Sequence, residues 1–212
     1  MRRLPVYLLL DCSGSMTGEP IEAVKTGLQV LVSALRQDPQ AIESAYLSVI
    51  TFDSSARQVV PMTDMMSFQV PELIAGGCTM MDEALSLLCD CAKRELVKST
   101  NDQKGDWRPL VFLMTDGEPT DTLDKGLSAL QGMKWGMVVC CAAGQDAKTE
   151  HLKRISPECL VQLDTTDSKS LAAFFKWVSA SISTSSKSVN ECMKEVSGME
   201  QLPPPPAEIT IV

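Results

Sequence analysis

The sequence predicts an α/β fold, a doubly wound and mostly parallel sheet with helices on both faces, and three observations carry that expectation. Its strand-like segments are continuous apolar runs such as Val6-Tyr7-Leu8-Leu9-Leu10, as expected of strands buried on both faces. Between them lie segments with apolar residues three and four apart, which gives strand–helix alternation and right-handed crossovers. Two of the apolar runs lead into an aspartate, Asp11 and Asp116, at the strand ends where open α/β sheets collect ligands.

The elements follow in order. Residues 4–10 form the first strand. Pro20-Ile21 opens a helix, proline being favoured in the first turn. Ile21, Val24, Leu28, Leu31, Val32 and Leu35 share one face of it, and Asp38-Pro39 stops it. Residues 46–52 read as a strand, Asp53-Ser54-Ser55 as a turn, and residues 56–62 as a returning antiparallel edge strand with Pro61 near its end. Residues 71–78 are irregular, a helix covers 80–97, and 99–108 is a polar loop. Residues 110–114 are the fourth strand, 122–133 a helix, 135–142 the fifth strand, 148–155 a short helix and 159–163 another strand. Residues 168–183 form the last amphipathic helix, with Leu171, Phe174, Phe175 and Val178 facing inward. The domain therefore spans residues 1–185, and 186–212 form a Ser/Pro-rich tail. Its four consecutive prolines, Pro203 to Pro206, favour an extended polyproline II segment. The last five residues read either as a disordered end or as a strand on a sheet edge or partner.

Composition narrows the function. A chain of 212 residues, 44% hydrophobic and 22% charged, buries roughly 70% of its unfolded surface, enough for one core without staples. A net charge of −8 and the lack of a basic run argue against a nucleic-acid partner. No run approaches the roughly 20 apolar residues of a membrane span. The apolar stretch after Met1-Arg2-Arg3 enters Asp11 without a small-x-small cleavage site, so it reads as a strand and a cytoplasmic location is expected.

Asp11-Cys12-Ser13-Gly14-Ser15 sets a carboxylate and two hydroxyls at alternate positions past a strand end. Gly76-Gly77-Cys78-Thr79 and Leu113-Met114-Thr115-Asp116-Gly117 add a hydroxyl and a second carboxylate. These are hard oxygens of the kind magnesium prefers. Each piece also has a plain structural use: Asp11 and Ser13 in a cap or turn, Thr79 as a helix N-cap, Asp116-Gly117 as a turn. Glu118, Asp121 and Asp124 read as solvated acids beside a helix N-terminus, and His151 as solvent-facing. The eight cysteines contain no C-x-x-C pair and the chain has one histidine, which leaves a zinc site unsupported. Cys140 and Cys141 should point to opposite faces of a strand, and Cys89 and Cys91 to different sides of a helix. The cysteines read as reduced and buried; Cys12 and Cys78 flank proposed ligands, open to oxidation or a soft metal.

Taken in order, the three segments resemble the von Willebrand factor A domain and its metal-ion-dependent adhesion site, with the pattern Asp-x-Ser-x-Ser, a distant Thr and a distant Asp. Residues 11–21, D-C-S-G-S-M-T-G-E-P-I, and 114–121, M-T-D-G-E-P-T-D, are similar to the bacterial branch of the family found in tellurite-resistance clusters. The resemblance runs from about Leu4 to about Ser185. It implies a Rossmann-like sheet of six strands in the order 3-2-1-4-5-6, the third antiparallel. It also implies Mg2+, with Mn2+ as the alternative, held by Asp11, Ser13, Ser15, Thr79 and Asp116. The chain departs from the pattern at Met81, where a second threonine is frequent, and at Cys78, where glycine is more usual.

Two functions compete at this stage. The first is a non-enzymatic interaction module, in which neutral hydroxyls leave the metal's charge incompletely cancelled and an open position attracts a partner's carboxylate. The resemblance makes that partner a cytoplasmic protein of a tellurite or stress-resistance cluster, such as a kinase or phosphatase encoded alongside. The second is a magnesium-dependent phosphohydrolase of the haloacid-dehalogenase type, which needs a second carboxylate two positions after the nucleophile, where Ser13 stands. No G-x-S-x-G elbow, P-loop or dinucleotide glycine pattern is present.

Overall fold

A computed structural model describes residues 2–145, 147–194 and 198–212 of the chain. One sheet runs across it in the order β3 (Ala56–Asp64), β2 (Ala45–Phe52), β1 (Leu4–Asp11), β4 (Leu110–Thr115), β5 (Met137–Ala143), β6 (Leu160–Leu163) and β7 (Ile209–Ile211). The five inner strands are parallel, and β3 and β7 close the two edges antiparallel.

The uniform apolarity of the inner strands follows from their position. β1 is buried along its whole length. Leu4, Val6, Leu8 and Leu10 enter a core shared with α1 (Glu19–Gln37) and α6 (Ser168–Lys187), whereas Tyr7 and Leu9 enter the opposite core beneath α3 (Met81–Glu95). Alternation of side chains along a strand therefore feeds two apolar layers. The six apolar positions expected on α1 are all buried. α1 and α6 approach so closely that a Cβ on Gly27 would stand 2.1 Å from Phe175 Cδ2, so the ring occupies the space glycine leaves.

Three differences from the sequence expectation have physical causes. A six-residue helix, α2 (Pro39–Ser44), follows α1 directly; Asp38 caps it by accepting the Gln40 and Ala41 N–H groups at 2.9 and 3.2 Å. Such a segment is too short for hydrophobic periodicity to reveal. Cys140 and Cys141 face opposite layers as expected; Cys89 and Cys91 lie in the same layer, where the reading of buried cysteines differs only in that α4 (Lys125–Gln131) covers α3 on the flank away from the sheet. The remaining helix on that face is α5 (Glu150–Ile155).

The third difference is the tail. α6 runs on to Lys187 and a π turn at Ser188–Cys192. Further along, the Trp177 indole N–H donates to the Pro203 carbonyl at 2.8 Å. β7 then pairs with β6, Leu163 opposite Ile209 and Val161 opposite Ile211, and the Val212 N–H donates to Leu160 O at 3.0 Å. Among the described residues the sheet thus has seven strands rather than six, and Ile209–Ile211, expected within the tail, supply the seventh. The sheet-edge reading of the last residues is the one adopted.

Candidate functional site

Parallel pairing of β1 with β4 sets Leu10 opposite Met114, so the two chemistry-bearing strand ends emerge side by side. Asp11 is fully buried. Its Oδ1 accepts the Ser13 N–H at 2.7 Å, an Asx-type turn, and its Oδ2 accepts the Thr115 hydroxyl at 2.5 Å. The 3-10 turn Gly14–Met16 then carries Ser15 back toward the strand ends. Ser13 Oγ and Ser15 Oγ lie 3.1 Å apart, and the Ser15 hydroxyl donates to Asp116 Oδ1 at 2.7 Å. Asp11, Ser13, Ser15 and Asp116 therefore form one string of oxygens.

Thr79 reaches the same rim through backbone ties. The Gly14 N–H donates to Gly77 O at 3.1 Å and the Gly76 N–H to Cys12 O at 2.8 Å, which lashes the second loop to the first. The Thr120 N–H donates to Thr79 O at 2.9 Å, and the Thr79 N–H to Thr120 Oγ1 at 3.1 Å, which lashes it to the third. A Cβ on Gly117 would stand 3.8 Å from Thr79 Oγ1, so this hydroxyl lies beside the Asp116 turn. Gly77 makes the second loop possible: its φ is +80°, and a Cβ there would meet Ser54 Oγ at 2.3 Å. Thr79 is not the cap of α3; Met80 holds that position and makes no side-chain cap bond.

Asp121 caps α3 instead. Expected as a solvated acid, it reaches across from the loop before α4, and its Oδ2 accepts the Asp82 and Glu83 N–H groups at 2.8 and 3.2 Å. Asp82 returns the favour: its Oδ1 accepts the Gly126 and Leu127 N–H groups of α4 at 2.8 and 3.3 Å. Two facing helices are each capped by the other's flank, which pins the Thr79 loop against the Asp116 loop. Glu118 is ion-paired with Lys148 at 2.6 Å rather than merely solvated, and Asp124 precedes α4 without a side-chain cap bond. His151 is half-buried rather than solvent-facing, with Nε2 enclosed and unpartnered.

Burial pushes the Asp11 carboxyl up; the hydrogen bonds from Ser13 and Thr115 oppose that, and the charge of Asp116 adds to it. Two cations of neighbouring loops are engaged with other acids, Lys148 with Glu118 and Arg57 with Asp53. The site is thus an acidic oxygen cluster that a hard cation would relieve. Its donor set fits such an ion: bonds of about 2.0–2.1 Å at right angles put neighbouring ligand oxygens about 2.8–3.0 Å apart, close to the 3.1 Å between the serine hydroxyls. Among the described residues no group of three or more His, Cys, Asp or Glu side chains could hold a metal, so the set on offer is two carboxylates with three hydroxyls.

The soft atoms do not join it. Cys12 is 2% exposed within the α1–α6 core, and burial pushes its thiol up to about 12. Cys78 is exposed, and its N–H donates to Ser54 Oγ at 3.1 Å. Thr115 and the crossed Asp82–Asp121 caps escape a sequence reading. The only signal for Thr115 is a hydroxyl at the end of a strand that pairs with β1.

The model of the von Willebrand factor type A domain matches residues 6–177. An uncharacterized protein of Synechocystis is 36% identical over 124 residues, which cover 55% of this chain and 26% of that protein. A von Willebrand factor type A structure from Catenulispora acidiphila superposes with a TM-score of 0.65 at 20% identity, over 86% of this chain and 43% of the other. The pilus adhesin SpaC from Lactobacillus rhamnosus GG gives 0.63 at 14% identity, over 87% and 31%. The chain spans about a quarter or less of the length of the curated relatives it matches.

Proposed function

Because this chain belongs to the von Willebrand factor type A domain family, we propose that it is a non-enzymatic interaction module. On this reading Asp11, Ser13, Ser15, Thr79 and Asp116 hold Mg2+ or Mn2+ and so recruit an acidic residue of a partner protein. Domains of this family commonly mediate protein–protein interaction, which is the coarse premise; the metal and the acidic partner are the finer step. The observation that supports it is the string of Ser13, Ser15 and Asp116 oxygens beside a buried Asp11.

The division of labour among these residues is simple. Asp11 and Asp116 bring negative charge, whereas Ser13, Ser15 and Thr79 bring neutral oxygens and orientation. When bound, the cation supplies a positive charge that the three hydroxyls leave uncancelled. A partner carboxylate meeting that charge at an effective dielectric near 20 is attracted about four times more strongly than in bulk water. The similarity of residues 11–21 and 114–121 to the tellurite-resistance branch suggests a kinase or phosphatase of such a cluster as partner. A phosphohydrolase is the weaker reading, since Ser13, 2% exposed and hydrogen-bonded to Ser15, occupies the place a general acid would need. Among the described residues no helix is long and apolar enough to cross a membrane.

The test begins with the purified chain. Mn2+ binding, read by electron paramagnetic resonance, should be competed by Mg2+ and lost in Asp11→Ala while the circular dichroism spectrum stays folded. Retention of an acidic partner from host extract should then depend on Mg2+ and vanish with EDTA or Asp11→Ala. Binding indifferent to both would reject the proposal.

A further inference from the structure

We propose that Thr115 is a positioning residue of this site: its hydroxyl registers Asp11 against the Asp116 turn, so that the two carboxylates are presented as one unit. This rests on the metal reading above and goes beyond it, because Thr115 is outside the proposed ligand set.

Thr115 ends β4 and is 1% exposed. Its Oγ1 lies 2.5 Å from Asp11 Oδ2, across 104 residues of chain. The same oxygen accepts the Gly117 N–H at 3.2 Å and stands 3.3 Å from the Gly117 carbonyl. A hydroxyl has one proton to give. The shorter distance and the charged acceptor assign it to Asp11, and the Gly117 N–H then fills an acceptor position on the oxygen. Asp116 is consequently the middle residue of a turn closed across it by the Thr115 hydroxyl, and its own Oδ1 receives Ser15.

The effect on Asp11 is the larger one. Its Oδ1 is held by the Ser13 N–H and its Oδ2 by Thr115, so the carboxylate is fixed against rotation and its remaining lone pairs keep one orientation. Thr115→Val keeps the shape and removes the proton, which takes one of its donors from a buried carboxylate and opens the Asp116 turn together. Hydrogen-bonding partners of metal ligands typically account for 10–100-fold in affinity.

The experiment measures Mn2+ affinity by electron paramagnetic resonance for the wild type, Thr115→Val and Thr115→Ser, with thermal melting of the metal-free proteins alongside. Thr115→Val should bind about 10–100-fold more weakly, and Thr115→Ser, which keeps the hydroxyl, within about threefold of wild type. In an Asp116→Asn background the loss on going to Val should shrink, because one of the two groups being registered has been changed. Val binding within about threefold of wild type, or Ser as weak as Val, would overturn the proposal. A purely structural role for Thr115 moves the melting temperature but not the affinity of the folded protein. Should Thr115→Val melt too early to read, Thr115→Ser decides alone: near-normal affinity supports the hydroxyl's role, and a tenfold loss overturns it. Failure of the unmutated chain to bind Mn2+ is a different result, which rejects the metal reading itself.

Discussion

Replacing Asp82 by alanine should cost more than any surface charge in this chain. Asp82 is 9% exposed, and its Oδ1 receives the Gly126 and Leu127 N–H groups at the start of α4. Gly126 sits so close that a Cβ there would stand 2.1 Å from the Asp82 carbonyl oxygen, so the two helices are in tight contact where the carboxylate accepts. Loss of a helix cap costs about 0.5–2 kcal/mol. A donor stranded in a buried setting costs about 1–3 kcal/mol. These overlap, so about 2–3 kcal/mol is expected in total. At about 2–4 °C per kcal/mol for a chain of this size, the melting temperature should fall by roughly 4–12 °C. Urea unfolding followed by far-ultraviolet circular dichroism reads the difference directly. Asp82→Asn keeps an oxygen acceptor and should cost less than about 1 kcal/mol. A loss under about 0.5 kcal/mol for Ala, or an equal loss for Asn, would refute the argument that the bonds to α4 are what Asp82 supplies.

Two further outcomes follow from burial. Burial holds the His151 imidazole below its usual range, against the pull of Glu118 and Glu150. The unfolded chain therefore takes up that proton first as pH falls through about 6.5, so stability present above this pH is lost below it. His151→Gln should flatten the stability profile between about pH 7.5 and 5.5; parallel profiles would contradict the assignment. In a Cys192→Ser background, a thiol reagent applied to the folded protein should modify Cys78 and leave Cys12 untouched until unfolding, because only Cys78 among the described cysteines is exposed. Labelling of Cys12 at a comparable rate, tracked by peptide mass, would count against its placement.

Much of the fold was legible because the strands advertise their surroundings. The apolar run of β1 and the single apolar stripe of α1 each state how many faces are covered, and both faces of the sheet follow from them. The ligand-type residues were legible for a similar reason: Asp11, Ser13, Ser15 and Asp116 follow strand ends, and parallel pairing brings those ends together. What stayed hidden depends on partners remote in sequence. Thr115 reads as the last residue of a strand until the strand beside it is known. Asp121 reads as an acid near its own helix, whereas it caps another one. β7 is three residues long, so the sequence left it open between a disordered end and an edge strand, and the exposed edge of β6 decides it.

That last strand bears on how the domain is excised for experiments. The family match stops at Trp177, a natural place to cut by similarity alone. Cutting there would strip the indole of Pro203 and leave β6 with an unpaired backbone rim beside Leu160, Val161 and Leu163, all buried in the full chain. Bare rims of this kind recruit other chains. Clones meant to report on the oxygen cluster at one end of the sheet therefore keep Val212, or they report on clumping at its border.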